Sequence, residues 1–513
     1  MRPALPNERS SGRHRLADWL LPAATLAFYL ATTAGYGIFR DELYYLACSR
    51  HLDWGYVDHP PLIAWLTAFA RAVFGESLFA LRLLPAVAAA ATVWVAQRVA
   101  TTLGGTSFAA VLAGLATALA PIYLSLFSIL SMNAFDVLIW ATLWWLAARL
   151  LAGDEPRLWL AFGAVAGFGL QNKISVLFLG FGLLVGLVVT RRWEVLRERR
   201  LWLGGALAFL LFSPHLIWQF VHDWPTLEFM ENAQRFKITD LSPAAFIAES
   251  ALQAGPGSLL IWVGGMLFLL SVGAARPWRA LGWAHLAILA LMVGSNAKPY
   301  YLAPSYLMLF SAGAVAIERW SAGRARPLRW VAAGLVIVSG IVTAPLAKPL
   351  LSEDAYVRYA ARLGFAPGTD ENHELGRLPQ FFADMHGWEE LARTVADVYH
   401  VLPEADRSRA CVFGQNYGQA GAIEYFGLEL GLPPALAGHN SYHLWGPGAC
   451  TGEVVIVIDD DRESMEATFE SAELATTFTC IDCMPYESHK QIWVGRRLRL
   501  PIAELWPQAK HFD

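Results

Sequence analysis

Residues 107–127 read SFAAVLAGLATALAPIYLSLF, 21 positions without a charged side chain. A helix needs roughly 20 apolar residues to cross the hydrocarbon core of a bilayer. Only a helix or a closed barrel satisfies its own backbone groups there. Uncharged runs recur at 174–190 and 257–273, so a polytopic helical membrane protein is expected. About eleven candidate spans can be placed around them: 18–36, 78–99, 106–125, 131–151, 157–171, 173–190, 201–220, 257–274, 280–296, 299–318 and 329–348. The pair 157–171 and 173–190 is short, and the polar Gln171-Asn172-Lys173 between them is expected at an interface. The first run is too long for a cleavable signal and lacks a small-residue cleavage site, so it is expected to be retained.

Composition agrees. Of 513 residues 56% are hydrophobic and 16% charged, with a mean hydropathy of +0.39. A soluble domain carries about 25% charged residues. The net charge of −4 and the pI near 6.4, with arginines in short clusters between apolar runs, exclude nucleic acid as a partner. The lipid bilayer is the expected surrounding. The apolar character ends near residue 350, where an ordinary α/β composition begins. The expected organisation is a transmembrane domain over 1–349 and a soluble α/β domain over 350–513, mainly α overall.

Arginine clusters set the orientation: Arg2, Arg9, Arg13 and Arg15; Arg149 and Arg157; Arg191, Arg192, Arg197, Arg199 and Arg200; Arg276 and Arg279; Arg319, Arg324, Arg326 and Arg329. With eleven spans all fall on one side, which the positive-inside rule makes cytoplasmic. The N-terminus is then cytoplasmic. The segments 37–77 and 221–256 and the C-terminal domain lie outside the membrane. The first 330 residues contain only three lysines, Lys173, Lys237 and Lys298, all on the outer side. Positive charge there opposes the topological bias and calls for a local reason. An ion pair with a loop carboxylate is one; an anionic ligand at the outer face is the reading favoured for Lys173 and Lys298 together.

The first outer segment concentrates chemistry. Asp41 and Glu42 follow the first span directly. Repulsion and partial desolvation would raise a carboxyl pKa toward the range of a general base. Acidic residues also start helices, where the dipole is positive, and the two readings stand even. Asp58-His59-Pro60-Pro61 holds Asp58 and His59 in an extended turn. Tyr44, Tyr45, Trp54 and Tyr56 lie nearby. Such aromatics anchor a protein at the interface, and they are also what a sugar ring stacks on.

These residues resemble the motifs of the GT-C superfamily of membrane glycosyltransferases, in the bacterial branch related to protein O-mannosyltransferases and the lipid A aminoarabinose transferase. Asp41-Glu42 with Asp58-His59-Pro60-Pro61 resembles the first acidic motif and its downstream turn. Asn133-Ala-Phe-Asp136 resembles the second acidic motif, and Gly169-Leu-Gln-Asn-Lys173 the Gly-x-x-x-Lys. Phe229 to Arg235-Phe236 resembles an outer loop ending in Arg-Phe, and Lys298-Pro-Tyr-Tyr301-Leu-Ala-Pro304 a Lys-x-x-Tyr-x-x-Pro. Together they cover about residues 35–310. One departure is His59, where the aminoarabinose transferases carry a lysine, so a phosphate contact at that position is not carried over.

The resemblance implies a GT-C-like fold and a polyprenyl-phosphate-linked sugar as donor, with a hexosyl or pentosyl group transferred. The acceptor class stays open among glycolipid, polysaccharide and protein. Lys173, Lys298 and Arg235 would hold the donor phosphate and stabilise the leaving group. Asp41 would be the base of an inverting displacement, Asp136 would orient acceptor or sugar, and Glu42 and His59 rank second. Asp58, His59, Tyr44, Tyr45 and Tyr301 would line the substrate. No cofactor is expected, and a divalent metal on the acidic residues is possible in chemistry but not expected. The implied location is the cytoplasmic (inner) membrane, with multiple passes.

In the soluble domain, strand-like runs occur at 410–414, 453–458 and 491–495. The Gly-rich segment 414–421 lacks the Lys-Ser/Thr of a phosphate loop and reads as a turn into a helix. Asn416 to Ile423 and His439 to Pro447 resemble a soluble domain found in this branch, with no role attached. His439 and His443 read as an ordered loop in preference to metal ligands. Cys411, Cys450, Cys480 and Cys483 allow one disulfide or free buried thiols equally. The competing function is a transporter or flippase of a lipid-linked sugar. It is disfavoured because no internal repeat is found and the unusual charges gather on one face. A mere membrane anchor would not need so many polar residues in its outer loops.

Overall fold

The computed structural model describes residues 11–237, 241–369, 371 and 373–513. Arg2 and Arg9 lie outside the described residues, as do the side chains of Arg13, Arg15, Lys237 and Arg324. Each of the eleven apolar runs is helical. Five helices are individually long and apolar enough to cross a membrane: Leu78–Thr102, Met132–Ala152, Arg199–Val221, Pro299–Trp320 and Pro327–Ala347. Pro243–Ala254 and Pro256–Ser271 would make a sixth, bent by 94° at Gly255. Asp18–Ala31, Ser107–Leu119, Leu158–Leu170 and Val176–Val189 are shorter apolar helices.

The chain divides into two compact units. One contains Met1–Gly35, Phe74–Leu216 and Asp240–Leu350; the other contains Tyr36–Val73, Ile217–Thr239 and Leu351–Asp513. Compactness thus groups two of the loops between spans with the C-terminal domain, a division that a linear boundary at 349/350 does not draw.

In the helical unit, burial sorts the spans. The apolar window of Pro299–Trp320 is 83% buried, whereas those of Arg199–Val221 and Pro327–Ala347 are 28% buried. The first is central, and the other two turn apolar faces outward, as lipid-facing helices must. Lipid offers no hydrophobic drive between helices, so close backbone approach matters. A Cβ on Gly313 would stand 1.8 Å from the Ile261 carbonyl oxygen, so only glycine fits this crossing. The arginine-bearing turns meet at one end. Thr106 N–H donates to Glu318 (2.7 Å), Arg192 to the Pro277 carbonyl (3.0 Å), and the Trp278 indole to the Ala148 carbonyl (2.9 Å). Lys173 and Lys298 sit at the ends of the helices away from these turns.

The second unit is built on a five-stranded sheet: β1 Ala410–Gly414, β2 Ala435–Ala437, β3 Val454–Ile458, β4 Phe469–Phe478 and β5 Lys490–Leu498, in the order β2-β1-β3-β5-β4. The first three are parallel, while β5 runs antiparallel to β3 and β4. β1, β3 and β5 fall where the apolar runs predict them. β3 is buried throughout, as a central strand flanked by helices should be. Cys411 and Cys450 form a disulfide across 39 residues, while Cys48, Cys480 and Cys483 are free thiols. Helix Tyr417–Phe426 follows β1 through a short turn capped by Asn416, whose side chain accepts the Gln419 N–H at 3.0 Å. It packs on helix Arg40–Arg50. A Cβ on Gly421 would stand 2.9 Å from Leu43 Cβ, so this glycine sets how closely the two helices meet.

Candidate functional site

In the helical unit the candidate residues converge on the turn Gln171–Ser175. Helix Leu158–Leu170 ends when the Gly169 carbonyl accepts the N–H groups of Asn172 (2.9 Å) and Lys173 (2.8 Å). Buried Asn172 donates to the Met132 carbonyl at 2.8 Å. The Ser175 hydroxyl donates to Asp136 Oδ1 at 2.6 Å and accepts the Trp140 indole N–H at 3.2 Å. The turn is thereby bolted to the start of helix Met132–Ala152, and it presents Lys173 half-buried. Lys173 Nζ donates to Asn133 Oδ1 at 2.6 Å and stands 4.5 Å from the Tyr301 ring and 5.7 Å from that of Tyr300. A neutral amide and two aromatic faces are its direct contacts, and its charge also reaches the buried Asp136 carboxyl. Both tyrosines belong to the turn Pro299–Ser305, which Lys298 opens; the Lys298 carbonyl accepts the Tyr301 N–H at 3.0 Å. Lys173, Asp136, Tyr301 and the Lys298 turn are therefore one cluster.

In the second unit, helix Arg40–Arg50 separates the two adjacent carboxylates. Glu42 is fully buried and accepts the Phe39 N–H at 2.8 Å, capping its own helix. It takes the helix-start role. Asp41 is half-exposed, and its Oδ1 accepts the Tyr417 hydroxyl at 2.9 Å. Asp58 Oδ1 accepts the Tyr44 hydroxyl at 2.8 Å. Tyr44 and Tyr45 are 1% and 2% exposed and pack on His59, which is fully buried. The His59 ring places Nδ1 2.8 Å from the Pro60 carbonyl and Nε2 3.8 Å from Cys48 Sγ. Trp54 is exposed and meets Trp65 edge-on. Arg235 is exposed on the turn Ala233–Lys237 and lies 5.2 Å over the Phe236 ring. Arg235 thus belongs to a different unit from Lys173 and Lys298.

Several residues here carry no motif. Arg40 is buried, with its guanidinium 4.6 Å over Tyr417 and one amino group donating to the Tyr486 hydroxyl at 3.1 Å. Its N–H donates to the Asp384 carbonyl at 3.0 Å. Lys348, buried in the helical unit, donates to Ser128 Oγ at 3.0 Å and lies 5.0 Å over Tyr29. The lysine rule, applied to the first 330 residues, passes over it although it closes the last span. His439, His511 and Asp513 bring ligand-type atoms within 4.8 Å of one another. The Tyr417 N–H, which can only donate, meets His439 Nδ1 at 3.3 Å, so Nε2 carries the ring proton and faces the Asp513 carbonyl at 3.0 Å. That tautomer offers no lone pair to a metal. His443 lies on the short helix Ser441–Trp445 and stacks on Trp506, so the segment expected as a loop contains a helical turn.

Burial pushes the Asp384 carboxyl up to about 7 against the opposing charge of Arg40, and pushes Glu424 up to about 7 against Arg50 at 3.4 Å. Both bind a proton more tightly folded than unfolded, so stability falls as pH rises from about 4 through 7. Thermal unfolding of the whole protein should show this slope, and Asp384→Asn should flatten it. Identical slopes would remove Asp384 as a source.

Residues 58–218 match the family model described as dolichyl-phosphate-mannose-protein mannosyltransferase. No curated protein sequence matches the chain. Among solved structures, ArnT from Cupriavidus metallidurans bound to undecaprenyl phosphate superposes with a TM-score of 0.64 at 15% identity, covering 93% of this chain and 97% of that one. Its apo state gives 0.63 at 16% identity over the same shares. The arabinofuranosyltransferase AftD from mycobacteria gives 0.50 at 15% identity, over 97% of this chain and 42% of that one. The GT-C resemblance of the motifs is borne out at the level of fold: a multi-pass helical membrane protein with a C-terminal α/β domain.

Proposed function

We propose that this protein transfers a sugar from a polyprenyl-phosphate-linked donor to an acceptor hydroxyl at the outer face of the cytoplasmic membrane. The observation that carries the reading is the fold shared with ArnT over 93% of this chain, in a crystal structure that holds undecaprenyl phosphate. The lysine cluster supports it. Lys173 and the Lys298 turn lie at the helix ends away from the arginine-bearing turns, where an anionic headgroup outside the membrane would rest. In this reading the acceptor hydroxyl gives its proton to Asp41 as its oxygen attacks the anomeric carbon. The carbon–oxygen bond to phosphate breaks on the opposite face, so the configuration inverts. The polyprenyl phosphate leaves against Lys173 and Lys298, with Arg235 as a further cation. Asp136 acts through the turn it anchors, and Glu42 sets the start of the helix that carries Asp41. The sugar is a hexosyl or pentosyl group, and the acceptor is a glycolipid, polysaccharide or protein. The reading calls for no cofactor, and a divalent metal is not expected.

Mass spectrometry of lipids that co-purify with the protein tests the reading. A polyprenyl phosphate, free or sugar-linked, is the expected finding. A labelled polyprenyl-phosphate sugar should then be consumed, with label appearing in an acceptor. Movement of the intact donor across vesicles without its consumption would replace this reading with a flippase.

A further inference from the structure

Two segments of the C-terminal domain, Asn416 to Ile423 and His439 to Pro447, have no part in the chemistry above. Their side chains nevertheless end on its carboxylates. The Tyr417 hydroxyl donates to Asp41 Oδ1 at 2.9 Å. Ser441 works on the other carboxylate. Its N–H donates to the Tyr44 hydroxyl at 3.2 Å, its Oγ lies 2.8 Å from the same oxygen, and Tyr44 in turn donates to Asp58 at 2.8 Å. We infer that Tyr417 is a positioning residue that aims Asp41, and that Ser441 aims Asp58 through Tyr44. This rests on the glycosyltransferase reading with Asp41 as base, and it makes the C-terminal domain part of the machinery.

Tyr417 is itself held from every side. Its N–H is received by His439 Nδ1 at 3.3 Å. Its ring stands 4.6 Å from the Arg40 guanidinium and 4.7 Å from the ring of Tyr44. Gly418 keeps the first turn of its helix against Arg40, where a Cβ would stand 2.9 Å from Arg40 Cγ. Burial, opposed by the Arg40 guanidinium and aided by the Asp41 charge, holds the Tyr417 phenol well above its ordinary range, so it keeps its proton and donates. A neutral donor suits a general base. A phenol orients a carboxylate through one hydrogen bond and leaves its charge in place.

The test is sugar transfer by the whole protein in detergent or vesicles, with kcat, donor KM and the pH profile measured for wild type and Tyr417→Phe. Removing the hydroxyl removes a hydrogen bond to the charged form, so the acid limb of the kcat/KM profile should move up by roughly one pH unit. At a fixed pH near that limb, kcat should fall roughly 10-fold with donor KM unchanged. An unshifted acid limb overturns the inference, whether or not kcat falls, because a structural role alone would lower the rate at every pH. If Tyr417→Phe does not fold, 3-fluorotyrosine at position 417 carries the test. Its more acidic hydroxyl bonds more strongly, so the limb should move down; an unmoved limb overturns the inference. Absence of transfer by the wild type with every lipid-linked sugar tried is a failure of the glycosyltransferase reading instead.

Discussion

Asp41→Asn should lower sugar transfer by roughly a thousandfold while donor binding persists, because general-base catalysis contributes on the order of 10²–10⁴. The substitution keeps the shape of the side chain and an oxygen for the Tyr417 hydroxyl. What it removes is the capacity to take a proton. Glu42 cannot substitute, since it is buried and committed to the Phe39 N–H. Turnover and equilibrium binding of a labelled polyprenyl-phosphate sugar separate the two effects. Turnover near the wild-type rate would exclude Asp41 as the base and move attention to Asp58.

Lys173→Ala should weaken donor binding by roughly 10- to 100-fold, the range expected when a charge-assisted hydrogen bond to an anion is lost. The direct partners of Lys173 are the Asn133 amide and the faces of Tyr300 and Tyr301, and its charge also reaches the buried carboxyl of Asp136. Thermal unfolding measured beside binding separates a lost phosphate contact from a lost counter-charge to Asp136. Lys298→Ala, at the opening of the same turn, should act in the same direction. Competition by free polyprenyl phosphate against a fluorescent donor measures both. Unchanged affinity in the two variants would make these lysines structural and remove the phosphate site from this end of the unit.

Much of the fold was legible because the bilayer imposes its own rules. A long uncharged run has few alternatives to a helix, and the bias of arginines to one side sorts the loops. The strands β1, β3 and β5 were legible as short apolar runs, most plainly the VVIVI of β3. β4 was not. It reads FESAELATTF, is an edge strand, and exposes most of its residues, so no apolar run marks it. The bend at Gly255 was hidden because Pro243–Ala254 carries a glutamate and is too short to read as part of a span. At the site, Lys173 was legible as a lysine out of place among arginines. For Asp41 and Glu42 the residues alone leave the base and helix-start readings even and the resemblance ranks Asp41 first; burial and the Phe39 N–H then give Glu42 the helix-start role. Tyr417 was invisible for a simpler reason: a tyrosine 376 positions from its carboxylate carries no local signal.

That separation has a consequence for how the protein is made. The unit that holds Asp41 is discontinuous, assembled from Tyr36–Val73, Ile217–Thr239 and Leu351–Asp513. At roughly 5–20 residues per second, about 20 to 75 seconds of translation pass between Asp41 and Tyr417. During that time the loop after the first span waits without the helix it packs against, and its carboxylate without the hydroxyl that aims it. A nascent chain already threaded through the bilayer, among the very lipids it would act on, is in this sense born unarmed.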